Sequence, residues 1–328
     1  MALNCSFLIY FYCDWGNIMI LSFLNALPGA VAQGLIWGIM AIGVYITYKI
    51  LNVADLTVDG TMCTGGAVCV MLVANGCPMW LALLAAIGAG LLAGLLTGIF
   101  HTVMGIPAIL AGILSQLALY SINLKIMADK ANQAINFRNY NLLVSLNNVR
   151  KPPVFMEDGV LKFNPIFIVG IMVVIIIVVL YWFFSTELGC SLRATGANQN
   201  MARAQGINTK FNIVLGLMVS NAIVAFSAAL LSQYQGFADI NQGRGAIVIG
   251  LAAVIIGGVL FDKIFRNFAL KLVSVVIGGI IYYIVLQIVI TLGFDTNLLK
   301  LLSAVVVAIF LAVPYFKKQY FTKVKEGK

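Results

Sequence analysis

Long apolar runs separated by short polar breaks dominate the chain, with almost no alternating polar positions inside the runs. A helix needs about 20 apolar residues to cross roughly 30 Å of hydrocarbon. By that measure there are about nine candidate segments, eight to ten spans in all, near residues 28–48, 61–75, 79–100, 107–127, 165–185, 211–234, 246–261, 269–292 and 297–315. The second and seventh are short, which predicts helices that are interrupted or re-entrant. One polar stretch of unusual size, Thr186 to Asn212, separates the fifth run from the sixth. Within it Asn198 is placed to cap a short helix and Gly206 to end it. Met201, Ala202 and Ala204, with Arg203 and Gln205, give that helix a light surface. Such a surface suits a groove on a partner protein; a solvated connector between two spans is the plainer reading.

Composition turns this pattern into a fold class. With 62% hydrophobic and 9% charged residues and a mean hydropathy of +1.03, the chain is an all-α polytopic membrane protein and not a soluble domain. It divides into an N-terminal extension (1–27), a single transmembrane domain (28–315) and a basic tail (316–328). Met19 is a candidate start. The formal charge of +9 is spread over loops and tail and not gathered on one face, so a nucleic-acid partner is rejected. Contact with anionic membrane lipid fits better. The tail from Lys317 carries five lysines and one acid, which orients it to the cytoplasm. Counting spans back places Thr186–Asn212 inside, and the loop 129–164 and the N-terminus outside. That loop, with Lys130, Arg138, Arg150, Lys151 and Lys162, runs against the charge rule.

Shifting the chain by 184 residues takes Val53-Ala54-Asp55 onto Phe237-Ala238-Asp239 and Gly66 onto Gly250. Five predicted spans separate the copies, so the copies would have opposite orientation. Inverted repeats with short helices at matching places are a transporter signature. Chance identity in an apolar sequence is the competing explanation.

Chemistry-bearing residues inside the spans are few. Asp55 and Asp59 precede the short second span. Their expected place is the membrane edge, with Asp59 and Thr61 capping the helix that follows; a pathway role is the alternative. Asp239 and Arg244 frame the second short helix and could pair with each other, and Asp239 is also a gating candidate. Gln33, Ser115, Gln116, Asn221, Gln233 and Gln287 could bond between helices, and Asn221 and Gln233 are pathway candidates. Cys63 and Cys69 read as small apolar residues. No metal cluster, catalytic dyad or phosphate-binding loop is legible, so any ATP is bound by another chain.

The string LRATGANQNMARAQGINT (Leu192 to Thr209) resembles the cytoplasmic coupling segment of ABC-transporter permeases of the branched-chain amino-acid type, closest to tryptophan/tyrosine-type importer permeases. NVADLTVDGTMCTGGAV and SQYQGFADINQGRGAIVIGLAAVIIG agree, and the resemblance covers roughly residues 25–315. It implies a permease subunit in a bacterial cytoplasmic membrane, paired as a homodimer or heterodimer. ABC ATPase subunits holding ATP and Mg would dock inside, and an extracytoplasmic solute-binding protein outside. Carried over by position, Arg193, Gly196, Asn198, Met201, Ala202, Arg203, Gly206 and Ile207 would form the coupling helix and its flanks. Two positions depart from the expected pattern: Gly258 stands where a charge is expected, and Arg244 where a small residue is. The rival function is a secondary transporter driven by an ion gradient, which would need an acid or His at membrane depth; none is evident from the spans.

Overall fold

The computed structural model describes residues 3–135, 142–149, 151–157, 160–262, 264, 265, 267–292, 301, 303–310 and 312. Ten helices account for most of them: α1 (Leu3–Tyr45), α2 (Thr57–Ala74), α3 (Met79–Thr102), α4 (Ala108–Ile126), α5 (Pro165–Ser185), α6 (Glu187–Ala197), α7 (Gln199–Ala204), α8 (Thr209–Gln235), α9 (Ala246–Phe261) and α10 (Phe268–Thr291). A π-helical turn, Ile46–Ile50, extends α1. Among the described residues four short strands make two antiparallel pairs: β1 (Asn132–Ala134) with β4 (Phe237–Asp239), and β2 (Val154–Glu157) with β3 (Val160–Phe163).

Among the described residues seven helices are long and apolar enough to cross a membrane, namely α1 (with its π turn, over Leu21–Ile50), α2, α3, α4, α5, α8 and α10. The predicted seventh run is the shorter apolar helix α9, with the same bounds, 246–261. The ninth run, 297–315, is described in part; its described residues are helical, and Val307 packs against Ala252, Ile256 and Tyr282. The nine-segment pattern therefore holds. What it missed is the start of α1, which is helical from Leu3 and carries Pro28 within it, and the strands.

Local signals set the helix ends. Asn164 accepts from Ile166 N–H at 2.9 Å with Pro165 in the first turn of α5, satisfying amides that otherwise lack partners. Gly236, with φ +80°, closes α8. On α5 only a stripe at helical spacing is buried (Val169, Val173, Ile177, Leu180, Phe184). Ile166, Ile168, Ile176 and Phe183 pack partly against the core, while apolar residues such as Val174, Val178 and Trp182 are exposed, the pattern of a helix at the lipid boundary.

The core is α8, buried on nearly every side. Three of its side-chain hydroxyls climb α1 in steps of seven residues: Ser220 donates to Gly43 O at 2.8 Å, Ser227 to Ile36 O at 2.7 Å and Tyr234 to Gly29 O at 3.4 Å. The opposite order of the two number series shows that α1 and α8 are antiparallel. On its other side α8 meets α3 at Gly90, Gly94 and Gly98, where any Cβ would strike α8 around Asn221, Leu217 and Val214. Gly34 and Gly38 bring α1 equally close to α10 at Ile280 and Val276. Small residues spaced by four let backbones approach where no hydrophobic force drives helices together.

These contacts are those of an inverted repeat. The unit α1–α2–α3 reappears as α8–α9–α10: α1 packs on α10 as α8 packs on α3, and α2 packs on α8 as α9 packs on α1. The two copies of the Ala-Asp signal share a local geometry. Asp55 Oδ1 accepts from Thr57 N–H at 3.0 Å, and Asp239 Oδ1 accepts from Asn241 N–H at 2.6 Å. In both, Oδ2 accepts from an asparagine, Asn221 at 2.8 Å and Asn132 at 3.3 Å.

Candidate functional site

Both repeats fold back toward mid-height of the bundle. Residue 50 lies at the end that carries α6 and α7, for Gly196 packs on the Ile50 carbonyl. From there residues 51–56 turn inward, bringing Asp55 to Asn221, about half-way along α8. From the opposite end, residues 237–245 also turn inward, bringing Gly243 N–H to Cys63 Sγ at 3.3 Å. The helices α2 and α9 therefore both begin inside the bundle, and their N-termini meet there.

Asp59 joins them. Its carboxylate accepts from Gly245 N–H and Ile247 N–H, both at 3.0 Å. Sequence position alone makes Asp59 and Thr61 caps of α2; instead Asp59, from the first turn of α2, caps α9. The cause is chain reversal: folding back puts the free amides of α9 beside α2, and a carboxylate at a helix N-terminus is favoured by both hydrogen bonding and the helix dipole. Thr61 Oγ1 bonds Thr57 O at 3.1 Å and Asn221 Oδ1 at 2.7 Å.

Asp55 is not at the membrane edge, its expected place, but buried, 3% exposed. Its two amide donors lie within a wider polar lattice. Asn221 Nδ2 also reaches Leu217 O at 2.9 Å, and Thr57, Thr97 and Ser115 chain their hydroxyls at 2.7 and 2.8 Å. Asn221, a pathway candidate in the sequence, is buried with both amide atoms bonded, and it ties α8 to α2. Gln233 is enclosed as well, with Nε2 3.4 Å from Cys69 Sγ. Asp239 lies on β4, and among the described residues its carboxylate forms no ion pair with Arg244; the pair within 4.0 Å is Lys125–Asp129.

Beside Asp59 a cleft of about 230 Å³ opens between α2, α4 and the turn before α9. Asp59, Cys63, Gln116, Tyr120, Asn123 and Arg244 supply its polar and aromatic lining. The cleft gathers three stretches of sequence remote from each other, and of the polar residues singled out in the sequence it contains Asp59, Gln116 and Arg244. Asn123 and Tyr120 escape sequence reasoning, because inside an apolar run their spacing reads as ordinary helix. Arg244 does carry a signal, as a large cation where a small residue is expected.

At the α6–α7 end the polar stretch forms a compact elbow. Asn198 Oδ1 accepts from Asn200 N–H at 3.0 Å and Met201 N–H at 3.1 Å, and Gly206 ends the turn at φ +81°. The predicted cap and stop are both present. Arg203 Nε donates to Thr209 Oγ1 at 2.9 Å, tying the elbow to the first residue of α8. Asn212 of α8 donates to Thr195 Oγ1 of α6 at 2.9 Å. Arg193 lies over the rings of Phe268 (4.3 Å) and Phe184 (5.3 Å), a cation–π arrangement. Ala202 is 1% exposed and belongs to the packing, whereas Met201 stands out at 57%. Ile207 is partly buried, and its N–H bonds Ala202 O at 3.0 Å.

Comparison with known proteins finds relatives over most of the chain. A tyrosine transport system permease protein of Clostridioides difficile (strain R20291) is 36% identical over 88% of this chain and 91% of its own length. The galactofuranose transporter permease protein YtfT of Escherichia coli K12 is 26% identical over 79% of this chain and 71% of its own. A chain of PsaBC from Streptococcus pneumoniae, solved in complex with a Fab, shares the fold at a TM-score of 0.52 and 17% identity, covering 93% of this chain and 99% of that one. The family described as branched-chain amino acid transport system / permease component matches residues 27–313. The chain belongs to that family, as a multi-pass membrane permease component.

Proposed function

We propose that this chain is the membrane core of an ATP-driven importer for a small organic solute of the amino-acid class. In this reading a second copy completes the permease in a bacterial cytoplasmic membrane. ATPase subunits that bind ATP and Mg dock on the α6–α7 elbow, which faces the cytoplasm. A solute-binding protein delivers from the β-strand end. The observation that carries the reading is the elbow itself. A two-turn helix is capped at one end, stopped at the other, and bonded to the start of α8 through Arg203 and Thr209. Gly196 and Arg193 lock the adjoining α6 to the ends of α1, α5 and α10. Motion applied at Met201 passes to four spans, α8, α1, α5 and α10, without a loose joint. The tyrosine permease relative supports an amino-acid cargo.

One observation favours the rival, an ion-driven carrier. Asp55 and Asp59 lie inside the bundle, where the sequence offers no evident acid, and carboxylates at membrane depth mark ion or proton paths. Against it, every oxygen of the two carboxylates is already engaged by a neutral N–H donor, which makes them structural caps. The experiment is uptake of labelled amino acids into vesicles loaded with ATP, alongside pull-down of the tagged chain. Uptake that needs ATP, persists with a proton ionophore and accompanies a co-purified ATPase supports the importer. Uptake abolished by the ionophore and indifferent to ATP overturns it.

A further inference from the structure

Arg244 is an anomaly of position. It follows Gly243, which packs against the Asp59 carbonyl and Cys63, so it stands near mid-height of the bundle. Its side chain is exposed into the cleft, where among the described residues that side chain has no hydrogen bond or ion pair. A cation at that depth belongs beside water or a partner, since hydrocarbon is the costliest place for it. Asp59, the acid of the cleft, has its oxygens turned to the amides of α9. Asn123 is a second anomaly on the same cleft. It is 1% exposed, its Nδ2 reaches only the Gly60 carbonyl at 3.5 Å, and its Oδ1 has no donor. Buried acceptors of this kind are rare and call for an explanation.

We propose that the cleft is the solute's station inside the permease, where Arg244 binds the carboxylate and Asn123 Oδ1 the ammonium of a zwitterionic amino acid. This rests on the importer reading above and names the solute chemistry within it. A guanidinium presents a planar fork of donors that fits a carboxylate in two parallel bonds. An ammonium brings only donors, which is what an orphan amide oxygen lacks. Charge is balanced as well: Asp59 and Arg244 offset one another, so a solute of zero net charge leaves the site neutral. A sugar would supply hydroxyls but no anion for Arg244. The cleft's 230 Å³ falls below the roughly 300–1,000 Å³ of complete ligand pockets, and it opens to the surface of the subunit. A second subunit would close it around the solute's side chain, with Tyr120 on the near wall.

The test uses the intact complex with its ATPase, carrying Leu117→Cys in a background without other accessible cysteines. Leu117 lines the cleft and is exposed, so a thiol reagent reports occupancy without transport. L-tyrosine, with L-leucine as a second probe, is expected to slow labelling about tenfold. Tyramine, without the carboxylate, and 3-(4-hydroxyphenyl)propionate, without the ammonium, are expected to protect at least fivefold less. Arg244→Gln should abolish protection, Arg244→Lys should keep part of it, and Asn123→Leu should weaken it. Detergent thermostability equal to the parent complex in these variants shows that the cleft has formed. Equal protection in Arg244→Gln, or by tyramine, overturns the proposal. So does a complex that imports an amino acid without any protection of the introduced thiol. A complex that imports no amino acid overturns the underlying reading instead.

Discussion

Asn221 Nδ2 lies 2.8 Å from Asp55 Oδ2, joining residues 166 positions apart across the middle of the bundle. The bond fixes the inward turn of residues 51–56 against α8, and with it the depth at which α2 starts. Asn221 serves three partners at once, Asp55, Thr61 and the Leu217 carbonyl. In a low-dielectric interior such a lattice is stable when complete and costly when broken.

Asn221→Leu should therefore destabilise the chain in detergent by about 1–3 kcal/mol, because it leaves Asp55 Oδ2 without its donor and Thr61 with the Thr57 carbonyl alone. Asp55→Asn should cost less. The pair Asp55→Leu with Asn221→Leu should recover part of the loss, since it removes the stranded carboxylate together with its donor. Thermal unfolding of the variants beside the parent protein checks this, and additive losses would contradict the coupling.

Asp59→Ala removes the cap of α9 without touching α9 itself. The expected cost is about 0.5–2 kcal/mol, appearing as faster amide hydrogen exchange in residues 245–249. Asp59→Asn should retain about half, keeping the acceptor and losing the charge. If exchange rises only in α2, the cap has been assigned to the wrong helix.

Gly94→Leu should prevent the close approach of α3 to α8, where even a Cβ would meet the Leu217 carbonyl. Overpacking of this kind costs about 1–3 kcal/mol, occasionally more. Gly88→Leu on the same helix faces open space and should be tolerated. Membrane expression and detergent thermostability of the two variants compare them directly.

Met201→Asp and Ala202→Glu separate docking from folding at the elbow. Met201 is exposed, so its variant should remain folded and lose ATPase co-purification several-fold. Ala202 is enclosed, so its variant buries a carboxylate and should lower thermostability before any docking is tested. Full ATPase recovery by Met201→Asp would remove Met201 from the docking surface.

Much of this is legible along the chain. The apolar runs mark the long helices because a span's length is set by the bilayer, and the bounds of α9 show because Gly245, at φ +85°, and Asp262 flank its apolar run. Asn198 and Gly206 mark α7, since caps act within one turn. The paired Asp55 and Asp239 announce the repeat, and their shared bonding to residue i+2 is a local turn that the sequence alone could carry. Depth is not legible. Hydropathy measures distance along the chain, whereas 51–56 and 237–245 reverse direction and carry Asp55, Asp59 and Arg244 inward. Only the packing of α2 on α8 and of α9 on α1 decides that Asp59 caps a helix nearly two hundred residues away. The cleft follows from the same packing: Asn123 and Arg244 meet because two half-helices start at one height, and no local signal encodes a height.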